Sequence, residues 1–311
     1  MSLTVVGSLA YDAVKTPFGE RERMLGGAAT HFALAASFFD VVRPVGPVGE
    51  DFDEASFATL RTRGTVTDDV EVVPGGKTFF WKGVYSNNLN QRDTLVTDLN
   101  VFESFEPKLS QESQDADVLF LANIQPDLQL HVREQCTKAR FVAMDSMNLW
   151  IEIANASLKK VIGTVDCLIL NDEELEQLTE KPTLQQAAAE VLSWGPKAVV
   201  AKLGKYGAAL FTEEGFFALP AYPLAEVIDP TGAGDTFAGG FVGYIAAHPD
   251  EPIDHAHLSR AMAYGTALAS YNVEEFGTER VERLTADEVQ ARVADLQRMT
   301  DFTVDPVALR A

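Results

Sequence analysis

Basic residues are scarce in this chain: Lys and Arg total 25 against 46 Asp and Glu, a formal net charge of −21 over 311 residues. The imbalance argues against nucleic acid and anionic membrane as partners, because their phosphates would be repelled. Surface carboxylates serving solubility, or a salt-rich cytoplasm, account equally for the acidity. Any anionic ligand must therefore be captured by local features that overcome the overall field. Cysteine is nearly absent. Cys136 and Cys167 form no Cys-x-x-Cys pair and no metal-ligand spacing, and read as two reduced core thiols. No apolar run approaches the ~18 residues that span a bilayer. Met1 to Ala10 lacks a basic segment and reads as a buried strand, not a signal peptide, which favours a cytoplasmic location. The Asn155-Ala156-Ser157 sequon then carries no meaning.

Several chemical motifs are also missing. There is no Gly-x-x-x-x-Gly-Lys-Ser/Thr loop, no complete Gly-x-Gly-x-x-Gly fingerprint and no His-Glu-x-x-His. His255-Ala256-His257 is too closely spaced for a helical metal pair and is expected at an exposed helix start.

What is present is a globular profile, 46% hydrophobic and 23% charged, able to bury a large core. Short apolar runs recur: Leu3–Gly7, Val118–Leu121, Phe141–Met144, Cys167–Leu170 and Ala198–Ala201. Helical patterns lie between them, at Gly27–Phe39, Pro126–Lys138, Ile151–Ile162, Asp172–Thr179 and Leu184–Trp194. From Phe237 onward the chain is helix-rich, through Ala261–Ala269 and Asp287–Met299. Strand–helix alternation predicts an α/β fold with a mainly parallel sheet and helices on both faces. One stretch breaks the rhythm. Lys77–Tyr85 and Arg92–Thr97 are strand-like and flank the polar turn Ser86–Gln91, which predicts an antiparallel hairpin inserted in a single domain, 1–311. By period-two alternation Phe79, Trp81 and Tyr85 share one face of it, and Phe80, Lys82 and Val84 the other. Such aromatics suit a lid or a subunit contact; packing on the domain is the alternative.

The strongest chemical signal is Asp229-Pro230-Thr231-Gly232-Ala233-Gly234-Asp235-Thr236-Phe237, followed by the apolar segment Phe237–Ala247. The segment predicts a buried helix with Gly232, Ala233 and Gly234 at its N-terminus. Small residues there let an anion approach first-turn N–H groups, which lack intrahelical partners and carry the positive end of the helix dipole. The result is an anion hole suited to charge developing on a transferring phosphoryl group. Asp235, beside it, can take a proton from an attacking hydroxyl. A capping carboxylate over a plain glycine turn is the alternative, and the full nine-residue string outweighs it.

That string resembles the C-terminal signature of the ribokinase-like (PfkB) sugar and nucleoside kinases. Other stretches agree in order and spacing. Val6-Gly7-Ser8 with Asp12 is similar to the first strand and its substrate-binding Asp. Gly26-Gly27-Ala28-Ala29-Thr30-His31 resembles the Gly-Gly motif, and Val45–Asp51 the Gly-x-Asp segment. Asn171-Asp172-Glu173-Glu174 fits the Asn-x-x-Glu motif, and Lys202–Gly207 the nucleotide-binding turn. The match spans about residues 3 to 280.

The resemblance implies a ribokinase-like three-layer sandwich with a small β-lid at about residues 10–25 and 75–100, and an ATP-dependent kinase acting on a hydroxyl of a sugar, polyol or nucleoside. It implies roles residue by residue. Asp235 is the base, and Gly232, Ala233 and Gly234 the anion hole. Asp12 binds substrate hydroxyls, with a turn-forming Asp as the alternative. Gly26 and Gly27 admit substrate to the backbone. Asn171 and Glu174 act near Mg²⁺ and the phosphates through water, compatibly with a helix N-cap. Lys202, Gly204 and Gly207 line the nucleotide site. Tyr264 belongs to the adenine pocket or equally to the core. Asp229 and Thr231 hold a monovalent cation, K⁺. The family often joins two lids into a clasp, which implies a homodimer through the hairpin. Two departures stand out: His31 replaces the usual Asn, and Asp145-Ser146-Met147-Asn148 departs from the usual Asp-x-Asn spacing by one residue. His31 reads as a substrate contact or a satisfied core histidine. The Gly-Gly-Ala-Ala stretch is similar to inositol kinases of the family. A vitamin-precursor kinase for pyridoxal or a hydroxymethylpyrimidine, and a non-catalytic regulatory protein on the same fold, are the rival readings.

Overall fold

The computed structural model describes residues 2–86, 89 and 92–301. Asn87, Asn88, Asn90 and Gln91 of the expected turn lie outside the described residues. The strands are β1 (Leu3–Val6), β2 (Ala10–Thr16), β3 (Gly19–Gly26), β4 (Val42–Gly49), β5 (Val70–Val73), β6 (Phe79–Tyr85), β7 (Arg92–Asp98), β8 (Val118–Leu121), β9 (Phe141–Asp145), β10 (Cys167–Asn171), β11 (Ala198–Lys202), β12 (Ala208–Thr212) and β13 (Gly215–Leu219). The helices are α1 (Ala28–Ala36), α2 (Glu54–Arg61), α3 (Gln111–Gln114), α4 (Pro126–Gln135), α5 (Asn148–Ile153), α6 (Asn155–Ile162), α7 (Asp172–Thr179), α8 (Leu184–Leu192), α9 (Ala233–Ala246), α10 (His255–Asn272), α11 (Glu279–Glu282) and α12 (Ala286–Thr300).

Nine strands form the main sheet in the order β13-β12-β11-β10-β9-β8-β1-β4-β5. All its pairs are parallel except β11–β12 and β12–β13 at one edge. Continuous apolar runs form the central strands because both faces are covered. Leu3, Val5, Phe120, Ala143, Ile169 and Val200 point to the side where α1, α9 and α10 pack. Val6, Leu121, Met144, Leu168 and Val199 point to the other, against α4, α6, α7 and α8. The expected three-layer α/β arrangement is thus observed.

A second sheet has the order β3-β2-β6-β7. The hairpin β6–β7 does not stand alone: β2 pairs with β6 in parallel, Ala10 opposite Phe79 and Asp12 opposite Trp81. A two-stranded hairpin is marginal in water, and four strands with partners on both faces remove that cost. On one face Tyr11, Leu25 and Phe80 pack with Leu9, Val48, Phe52 and Leu60. On the other, Val14, Met24, Trp81 and Tyr85 meet Ile228 and Phe276 from the main body. Asp51, from the Gly-x-Asp segment, ties the loop after β4 to the start of β6 by accepting from the Thr78 N–H and hydroxyl, each at 2.7 Å.

Cys136 and Cys167 are buried and unpaired. No helix among the described residues is long and apolar enough to cross a membrane. One expectation is corrected. α10 does begin at His255, but His257 is buried, with Nδ1 3.1 Å from Glu251 Oε2, because its position faces the α9–α10 contact and not solvent.

Candidate active site

The C-terminal ends of the parallel strands bring the polar groups together, as open α/β sheets do at their ligand crevices. β9 ends in Asp145, β10 in Asn171 and β11 in Lys202, with Asn171 in register with Lys202. Asn171 caps α7: its side chain accepts from the Glu174 N–H at 2.7 Å, and Glu174 Oε2 accepts from the Asn171 N–H at 2.9 Å. This reciprocal box pins Glu174, itself buried, at the crevice floor. Burial pushes its carboxyl above the ordinary value, and Lys202 pulls it back.

Across from these groups stands the N-terminus of α9. Gly232 adopts φ 74° and ψ 0°, a left-handed turn that turns the chain into the helix. A Cβ on Gly234 would lie 2.9 Å from Lys202 Nζ, so the ammonium takes the space that a side chain would fill in the first turn of α9. Asp235 occupies that first turn. Ahead of it, Asp229 is fully buried, with Oδ1 accepting from the Thr231 N–H at 2.9 Å and Oδ2 from the Gly277 N–H at 3.0 Å.

The second sheet supplies the opposite wall. Asp12 lies on β2 and is buried; a Cβ on Gly26 would lie 2.1 Å from its Oδ2. The Gly27 N–H bonds to the same carboxyl. Gly27, at φ 96°, leaves no room for a side chain, since a Cβ would approach Ser8 O to 2.4 Å. Burial, then repulsion from Asp229 and Asp235, raises the Asp12 pKa to about 7. Tyr85 of β6 accepts from Thr231 Oγ1 at 3.2 Å, joining the lid to the α9 loop.

Beyond Lys202, Gly204 (φ 55°) and Gly207 (φ 107°) shape the β11–β12 turn. A Cβ on Gly207 would fall 2.0 Å from Leu219 O, which requires glycine there. His31 is buried with Nδ1 3.1 Å from Asn272 Oδ1, and its ring lies against Gly232. Tyr264 is not brought to the crevice. Its ring stacks on Tyr244 at 4.9 Å and its hydroxyl donates to Gln290 at 3.0 Å. Tyr244 is about 18 Å of helix rise from Gly232. The contacts of the Tyr264 ring are packing contacts.

Sequence reasoning passed over four residues. Asp145 is buried, and its Oδ1 has no hydrogen-bond partner among the described residues. Burial, then the Asp235 charge, pushes its carboxyl well up; Lys202 acts against this. The shifted Asp-x-Asn spacing was the available signal. Arg92, the first residue of β7, places positive charge near Asp12 and Glu174 and bonds to the Tyr85 hydroxyl. Tyr85 was marked only as one of the hairpin aromatics, and Asn272 left no local pattern at all.

A search of protein families matches residues 2–283 to the pfkB family of carbohydrate kinases. The chain is 29% identical over 269 residues to a cytidine kinase of Thermococcus kodakarensis, covering 84% of this chain and 95% of that relative. The fold is that of a Burkholderia thailandensis nucleoside kinase seen with ADP and inosine, at TM-score 0.77, 18% identity and 99% coverage of both chains. It is also that of a putative ribokinase II from E. coli in complex with ATP and Mg²⁺, at TM-score 0.76 and 19% identity over 94% of this chain and 99% of the other. A family match over nine-tenths of the length, on a ribokinase fold with the phosphate-type glycine turn in place, has one meaning: the chain belongs to the pfkB family of carbohydrate kinases, phosphotransferases acting on a hydroxyl group of a sugar or nucleoside.

Proposed function

We propose that this chain transfers the γ-phosphoryl group of ATP in line to a hydroxyl of a neutral nucleoside, with Asp235 as general base. The observation that carries the reading is the placement of Asp235 in the first turn of α9, beside Gly234, whose missing side chain leaves room for Lys202 Nζ. Lys202 and the Gly232–Gly234 turn hold the phosphates. Asn171, Glu174, Gly204 and Gly207 complete the nucleotide side. Asp12, Gly26 and Gly27 orient the acceptor, and His31 contributes through Nε2. The two sheets act as body and lid of one domain, and the closed lid excludes water from the transfer.

The residues fit Mg²⁺ in the manner that ion prefers, with Glu174 contributing through water. Bound Mg²⁺ neutralises charge across the phosphates. Asp229 and Thr231 would hold a monovalent cation: the Asp229 carboxylate is fully buried and tied to its own loop by the Thr231 N–H, and K⁺ there would order the anion hole.

Neutral acceptors are favoured by charge. Burial, and after it the charges of Asp229 and Asp235, raise Asp12 to about 7, and a phosphorylated sugar would meet the same two charges. The cytidine kinase relative supports a nucleoside over inositol. The test is turnover of MgATP with cytidine, inosine, ribose, myo-inositol and pyridoxal in parallel. A nucleoside should give the highest kcat/KM. Turnover of pyridoxal alone would establish the vitamin-precursor reading, and no turnover at all the regulatory one.

Asp12 gives a pH prediction. Its carboxyl holds a proton up to about pH 7 in the folded chain and only to about 3.8 when unfolded. Between those values the folded state binds the extra proton, so stability falls as pH rises through the window. Asp12→Asn should therefore raise Tm more at pH 8 than at pH 4. The same change should raise the acceptor KM roughly 10–100-fold, as loss of a hydrogen bond to a charged group does. An equal Tm change at both pH values would remove Asp12 as the source.

We propose also that two copies join through the lid. β7 is an edge strand with Leu95 57% exposed, while Trp81 is turned into the inner cluster. Sedimentation should show a dimer that Leu95→Glu weakens. Trp81→Glu should act mainly on the acceptor KM. A monomer at micromolar concentration ends the dimer proposal.

A further inference from the structure

The turn that aims α9 is braced by two side chains lying outside the glycine motif. The imidazole of His31 lies beneath Gly232, where a Cβ would come within 2.3 to 2.4 Å of three ring atoms. Asn272, the last residue of α10, is fully buried. Its Nδ2 donates to the Thr231 carbonyl at 2.7 Å. A carbonyl oxygen can only accept, which sets the orientation of the amide. Oδ1 then accepts from Thr236 Oγ1 at 3.0 Å and faces His31 Nδ1 at 3.1 Å. An amide oxygen offers no proton, so His31 Nδ1 carries one and Nε2 holds the lone pair. Burial keeps the ring neutral by lowering its pKa, against the pull of Asp235 and Asp229.

These bonds bracket the reacting segment. Asn272 grips Thr231 before the left-handed turn and Thr236 after Asp235, and the ring of His31 closes the space under the turn itself. We propose that Asn272, supported by His31, is a positioning residue for phosphoryl transfer: it locks Thr231–Thr236 so that the first-turn N–H groups and Asp235 need no rearrangement in the transition state. Donors held in place before reaction are what make such sites effective. A displacement of about 1 Å can cost about 10²-fold in rate. Thr231 also donates to Tyr85 of the second sheet, so the braced segment is one of the parts of the body that this sheet touches. The inference rests on the reading of Gly232–Gly234 and Asp235 as the transfer site.

The test uses the full chain with MgATP and cytidine, and acceptor-independent ATP hydrolysis as a readout that needs no acceptor. Asn272→Leu should lower kcat about 10²-fold, with both KM values and the affinity for a non-hydrolysable ATP analogue held within about threefold. His31→Asn should lower kcat too, and the double variant should fall short of the product of the two losses, as coupled neighbours do. Thr236→Val removes one bond to Asn272 while keeping shape, and covers the case in which Asn272→Leu does not fold; kcat should fall about tenfold with the same KM pattern. Unchanged kcat in Asn272→Leu or Thr236→Val, a loss seen only as raised KM, or strictly additive losses would each overturn the proposal. Asp235→Asn in the same assay separates the two levels. If it abolishes turnover while Asn272→Leu does not, only the brace is wrong; if it leaves turnover intact, the transfer site itself is misplaced.

Discussion

Asp235→Asn should lower kcat by about 10²–10⁴, the range lost when a positioned general base is removed. The amide keeps the size and the capping geometry of the first turn but cannot take the hydroxyl proton. Nucleotide affinity should persist, because Lys202 and the backbone N–H groups are untouched. The substitution has a second signature. Asp235 is the largest charge raising the carboxyl of Asp145 after burial, and it also raises Asp12. Removing it should let both ionise at lower pH, so the residual acceptor binding in Asp235→Asn should become stronger at a lower pH than in the wild type. Comparing kcat and the pH profile of acceptor KM checks both parts. Near-normal kcat would end the assignment of Asp235 as base.

Gly232→Val should be the most damaging change to structure and rate together. At φ 74° a β-branched residue is strained, at a cost of about 1–3 kcal/mol. Its Cβ would fall 2.3 Å from the His31 ring, which is buried and held by Asn272 and so cannot swing away. Overpacking of that kind adds about 1–3 kcal/mol. The two costs together imply a drop in Tm of roughly 4–24 °C, given about 2–4 °C per kcal/mol for larger chains. kcat should fall by about 10²-fold or more from misplacement of the anion hole. Gly234→Val provides the contrast. Its added Cβ meets only the flexible tip of Lys202, so Tm should stay near wild type while kcat falls, because the phosphate loses its approach to the backbone. Equal Tm for the two variants would show that the His31 contact is not rigid; full activity in Gly234→Val would show that no phosphate approaches there.

The central sheet was legible because parallel strands covered on both faces must be apolar along their whole length, and Cys167–Leu170 and Ala198–Ala201 are. The glycine turn proposed as the transfer site was legible for a related reason. A helix N-terminus that receives an anion needs residues without bulk, followed by an apolar helix, and Gly232–Phe237 shows both within six positions. Asn171 and Glu174 were readable as a pair because a capping box is local by construction.

The lid was legible only in part. Alternation marked β6 and β7 but gave no hint that β6 pairs in parallel with β2, since a strand's pattern records its own two faces and not its edge partner. Whether Trp81 served a lid, a subunit contact or packing on the domain stayed open for the same reason: period two says which residues share a face, while the body decides what each face meets. Tyr264 shows the limit for single aromatics. Its position in a helix is evident, but the neighbour that receives its ring, Tyr244, is chosen by helix packing.

By itself, then, the chain's order of residues determined the layering, the glycine turn and the carboxylate beside it, because each depends on contacts within one segment. Tertiary structure decided everything that needs two distant segments to meet. Asp145, Glu174 and Lys202 converge only because three parallel strands end on one line. Asp12 acquires its raised pKa only when the lid brings it near Asp229 and Asp235. His31 and Asn272, 241 positions apart, become one brace only when α1 and α10 close on the same side of the sheet. The physical reason is common to all three: hydrophobic periodicity specifies that a segment is buried, while the identity of its polar partners is settled by the packing that buries it.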